Sequence, residues 1–150
     1  MTELCYRLPG WERKLHDAID CRRRQPFHRA RNDCVRFTCE VIQEITGVFL
    51  GGHWVKDYRS NLAAKRLLKK LGEDGFFAAA NAVFVDAGLT PVTWQLAQRG
   101  DPVFFNSNVG RGEQGLAICV GQMAVTPGKD QMIAVPMNKA RAAWHIPPHG

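Results

Sequence analysis

The feature that most constrains this chain is a change of apolar spacing near Pro91. Before it, apolar residues recur at helical intervals: Trp11, Leu15, Ala18 and Ile19; then Cys34, Val41, Ile42 and Ile45; then Ala64, Leu67, Leu68 and Leu71; then the dense apolar stretch from Gly75 to Ala87. After it they come in short β-favouring runs bounded by Gly, Pro and Asn: Val103–Phe105, Leu116–Val120, Met123–Val125, Met132–Val135 and Ala142–Ile146. Helices followed by short strands define an α+β domain, with N-terminal helices packed on a small antiparallel β-sheet. With 150 residues, 45% of them hydrophobic, the chain can fill one core, and residues 1–150 are expected to form a single domain.

Local punctuation sets the predicted boundaries. Pro9-Gly10 opens a helix over 11–24, whose last turn carries Arg22-Arg23-Arg24, where cations complement the carbonyl end of the dipole. Asn32 and Asp33 are good N-cap residues for a helix beginning near Cys34, and Gly47 is a natural stop. Val48 to Val55, with Gly51-Gly52, reads as a loop. Helices over about 60–71 and 75–87, joined through Gly72 to Gly75, suggest an antiparallel pair.

Several function classes fall away at this level. No apolar stretch approaches the roughly 20 residues that cross a bilayer, so no membrane span is expected. The N-terminus lacks the charged-then-apolar order of a signal peptide, which points to synthesis in a cytoplasm. The five cysteines include no CxxC pair, and no Cys or His spacing matches a zinc site, so neither a disulfide framework, a metal nor a cofactor is expected. The net charge of +6 concentrates in Arg22–Arg24, Arg29 and Arg31, and in Lys65, Arg66, Lys69 and Lys70. Such groups suit an anionic wall polymer, an acidic neighbour or nucleic acid, or simply solvate a helix face. No helix-turn-helix, zinc finger or RNA-binding aromatic signature accompanies them, so nucleic acid is not the expected partner.

Cys34 is the residue with the most chemistry in prospect. A thiol is a useful nucleophile only as thiolate, which a helix N-terminus and nearby cations favour. Cys34 is predicted in a first helical turn, with Arg29 and Arg31 shortly before it; the charge of Asp33 opposes this unless its carboxylate turns onto the helix amides. The other thiols read as small apolar filling. A general base must come within hydrogen-bond reach of the thiol. The histidine candidates for that role are His28, close in sequence, His53, in a Gly-rich loop, and His145, on the last predicted strand.

The stretch Pro26-Phe27-His28-Arg29-Ala30-Arg31-Asn32-Asp33-Cys34 resembles the nucleophile segment of NlpC-type cell-wall cysteine peptidases, compact papain-like domains that cleave peptide bonds in peptidoglycan. Arg99-Gly100-Asp101-Pro102-Val103-Phe104-Phe105 resembles their Gly-Asp-x-Val-Phe-Phe strand, and Gly115-Leu116-Ala117-Ile118-Cys119-Val120-Gly121 resembles the strand whose family form is His-Val-Gly-Ile-Tyr-Leu-Gly. The likeness runs from about Pro26 to Val135. A narrower likeness is to a phage-encoded branch whose genes lie among tail genes near the tail tip; it rests on Leu8-Pro9-Gly10-Trp11-Glu12, the Asp-Cys helix, the Gly-Asp strand, Val135-Pro136-Met137 and Ala143-Trp144.

Only Cys34 and Asp33 match residue by residue. Where the family has its catalytic histidine this chain has Gly115, preceded by Gln114; the family's third polar residue falls near Thr126 or Pro127; and Arg29-Ala30 replaces an aromatic-glycine pair. The resemblance therefore implies a papain-like fold and a virion protein of the tail tip or baseplate, surrounded by other tail-tip proteins, whose cleft is catalytically degenerate. The alternative it implies is an active cysteine peptidase that hydrolyses peptidoglycan to assist wall penetration as DNA is delivered, with Cys34 as nucleophile.

Overall fold

The computed structural model describes residues 4–26, 33–51, 75–106 and 115–149. They contain three α-helices, α1 (Trp11–Asp20), α2 (Cys34–Thr46) and α3 (Gly75–Asp86), and six strands: β1 (Thr90–Val92), β2 (Pro102–Phe105), β3 (Gly115–Cys119), β4 (Met123–Pro127), β5 (Met132–Pro136) and β6 (Ala142–His145). The protein is thus α+β, helices first, as the change of spacing at Pro91 requires. The helix expected over about 60–71, its connection through Gly72, and the second half of the Val48–Val55 loop lie outside the described residues.

The strands form one sheet in the order β1-β6-β2-β3-β4-β5, with every pairing antiparallel. β2 and β3 are central and buried along their whole length. Alternation divides their side chains between two faces. Phe104, Leu116, Ile118, Val125 and Trp144 join the helices in one core, with Leu15 and Ile19 from α1, Phe37, Val41, Ile42 and Ile45 from α2, and Ala80 and Phe84 from α3. Aromatic contacts lock this layer: Phe76 and Phe77 meet the Phe104 ring edge-on at 5.5 and 5.3 Å between centroids, and Phe84 meets Trp144 at a tilt at 4.9 Å. Val103, Phe105, Ala117, Cys119, Ala124 and Ala143 form the opposite face, which Trp94, Ala97, Met137 and Ala140 from two connecting segments cover.

Two elements depart most from the sequence reading. α1 ends at Asp20, not at Arg24. Beyond it the chain tightens into i→i−3 turns, with Arg22 N–H on the Ile19 carbonyl and Arg23 N–H on that of Asp20. β1 was not expected. It is a three-residue edge strand containing Pro91, a residue that argues against strand in a sequence yet is tolerated at a sheet edge.

The N-terminal segment is part of this architecture. Cys5 N–H bonds the Ala87 carbonyl, Arg7 N–H that of Pro147, and Leu8 N–H that of Ile45. Cys5 and Arg7 turn inward and are buried, while Leu4 and Tyr6 face out.

Candidate functional site

Cys34 is the first residue of α2. Asp33 is the N-cap, in extended conformation, and its Oδ1 accepts a 2.8 Å hydrogen bond from the Arg36 amide. The carboxylate is therefore turned onto the helix start, where it satisfies one of the unpaired first-turn donors. It is almost wholly buried, whereas Cys34 is half-buried and packs against the main core. The cap and the apolar spacing that follows it fix the thiol at the positive end of a helix 13 residues long.

Gly115 begins β3 and faces that thiol. A Cβ built on Gly115 lies 3.8 Å from Cys34 Sγ, and no other described atom outside its chain neighbours comes within 4 Å. Its backbone is outside the left-handed region, so a larger residue is not excluded by dihedral strain. On the neighbouring strand, buried Thr126 donates its hydroxyl to the Leu116 carbonyl at 2.9 Å. At this start of β3 the thiol thus faces a glycine, and the nearby Thr126 hydroxyl on β4 is committed to the backbone.

The histidine candidates fare differently. His28 and His53 lie outside the described residues. His145 is held elsewhere: its Nδ1 is 3.0 Å from Asp101 Oδ2. Gly115 pairs with Phe105 at one end of β2, while the Val103–Ala143 register, continued by two residues, sets His145 opposite Asp101 at the other. Four residues of strand, about 13 Å, separate the two ends, too far for an imidazole on one to take a proton at the other. The structure does not bring His145 to Cys34.

Sequence reasoning missed what surrounds Asp101. This carboxylate is fully buried. Oδ1 accepts from Arg7 Nη2 at 2.6 Å and from the Ile146 amide at 3.0 Å; Oδ2 accepts from the Gln98 amide at 2.8 Å and faces His145. Arg7 Nε and Nη1 donate to the Ile146 and Arg99 carbonyls at 3.0 and 2.7 Å, and the guanidinium lies 4.2 Å over the Trp11 ring. The inward alternation of Arg7 with Cys5 was the available signal, and it is too short to read without the strand beside it.

The three buried thiols offer no second nucleophile of the same kind. Cys39 is pushed up to about 12 by burial, reinforced by the charges of Asp33 and Cys34. Burial likewise raises Cys119, which occupies the same cross-strand row as Asp101. Cys5 is fully buried, and none of the five cysteines is in a disulfide.

In the arginine cluster after α1, Arg22 is drawn into the fold while Arg23 and Arg24 stay exposed. Arg22 Nη1 caps the Ala18 carbonyl at 2.8 Å, and its Nε stands 3.9 Å from Glu40. Arg23 pairs with Asp20 at 3.5 Å. Arg29, Arg31 and the Lys65–Lys70 group lie outside the described residues. Among the described residues no helix is long and apolar enough to cross a membrane, and no group of three or more His, Cys, Asp or Glu side chains could hold a metal ion.

Fold and site together define an α+β protein with a capped, half-buried cysteine opening its central helix against a histidine-free strand. The chain belongs to the family described as Domain of unknown function (DUF6950), whose model matches residues 6–146. No curated protein matches it.

Proposed function

We propose that this chain is a structural component of a bacteriophage tail tip or baseplate, built on a papain-like, NlpC-type domain whose catalytic centre is degenerate. The observation that carries the degeneracy is the approach of Cys34 Sγ to Gly115, 3.8 Å from its Cβ position. The position aligned with the peptidase histidine faces the thiol and has no side chain to accept its proton. Loss of a triad member typically costs several orders of magnitude in rate. The tail assignment rests on the sequence likeness at 8–12, the Asp33-Cys34 helix, the Gly100-Asp101 strand, 135–137 and 143–144; of these, Leu8 ties the N-terminus to α2, and Trp144 is a core residue whose indole N–H reaches Asn81 at 3.0 Å.

The test has two arms. Quantitative mass spectrometry of purified particles should find this chain in fixed copy number with the tail; its absence from particles would sink the structural reading. Digestion of purified peptidoglycan should release no more muropeptide with the wild type than with Cys34→Ala. Release that depends on Cys34 would establish instead the alternative of an active wall hydrolase, which the retained helix-start geometry of Cys34 favours.

A further inference from the structure

We draw no further inference here: the strongest candidate, the exposed and uncharged outward stripe of Ala78, Ala82 and Val85 on α3 with Leu4 beside it, carries nothing because no feature of the structure shows what covers it.

Discussion

Arg7 Nη2 donates to Asp101 Oδ1 at 2.6 Å, joining the N-terminal segment to the start of β2 through a pair from which water is almost entirely excluded. Removing one member of such a pair leaves a buried charge uncompensated, a loss of about 3–5 kcal/mol. We expect Arg7→Met to lower the free energy of unfolding, measured in urea, by that amount. Arg7→Met with Asp101→Asn should recover only part of it, because the carboxylate also serves Ile146, Gln98 and His145. Full recovery in the double variant would show that those three contacts contribute nothing.

Gly100 separates two costs that usually come together. Its φ is +93°, and a Cβ there would stand 3.1 Å from both Arg7 Nη1 and Ile45 Cδ1. Gly10, at +76°, has nothing within 4 Å of its Cβ position. Gly10→Ala should cost only the left-handed backbone penalty, about 1–2 kcal/mol. Gly100→Ala should exceed it, since it also displaces the buried guanidinium. Equal losses in the two variants, measured by denaturant unfolding, would mean that Arg7 moves aside freely.

Glu40 gives the fold a defined pH dependence. Partial burial raises its carboxyl above the ordinary 4.5, with Arg22 and Arg36 only partly opposing the shift. A raised folded-state value means that the folded protein binds the proton more tightly than the unfolded chain. The resulting stabilisation is full below 4.5 and is lost as pH rises through the folded value. Glu40→Gln removes this dependence. The stability of wild type minus that of Glu40→Gln should therefore fall on going from acid to neutral pH. A difference that stays flat across that range would show the Glu40 carboxyl to be as well solvated folded as unfolded.

The helices and the antiparallel sheet were legible because apolar spacing and Gly or Pro punctuation are local, and burial then follows the same spacing. Val41, Ile42 and Ile45 are all fully buried, as their helical periodicity requires. A helix starting near Cys34 behind a cap at Asn32 or Asp33 was legible for the same reason, and Asp33 proves to be the cap. What could not be read is what depends on partners distant in the chain. Asp101 meets Arg7 across 94 positions and His145 across 44. Likewise His145 looked available to Cys34 until the register of β2 and β6 placed it at the other end of the sheet. The end of α1 was misplaced because arginines favour a last helical turn, and here Arg22 caps the carbonyl of Ala18 from just beyond it.

The Cys34–Gly115 contact supports a substitution whose effect on thiol chemistry has a clear sign. In the native wild type at neutral pH, iodoacetamide should label exposed Cys21 and half-buried Cys34, and leave Cys5, Cys39 and Cys119 untouched until the protein unfolds. Gly115→His places an imidazole on the strand residue that faces Cys34 Sγ, where the backbone admits a side chain. A neighbouring imidazole can take the thiol proton and leave an imidazolium beside the thiolate, which lowers the thiol pKa. We expect alkylation of Cys34 near neutral pH to accelerate at least several-fold relative to Gly115→Asn, which adds comparable bulk without a base, while the rate at Cys21 stays constant. Identical Cys34 rates in the two variants, both folded by circular dichroism, would show that residue 115 does not address the thiol, and the degenerate-centre reading would lose the contact on which it stands.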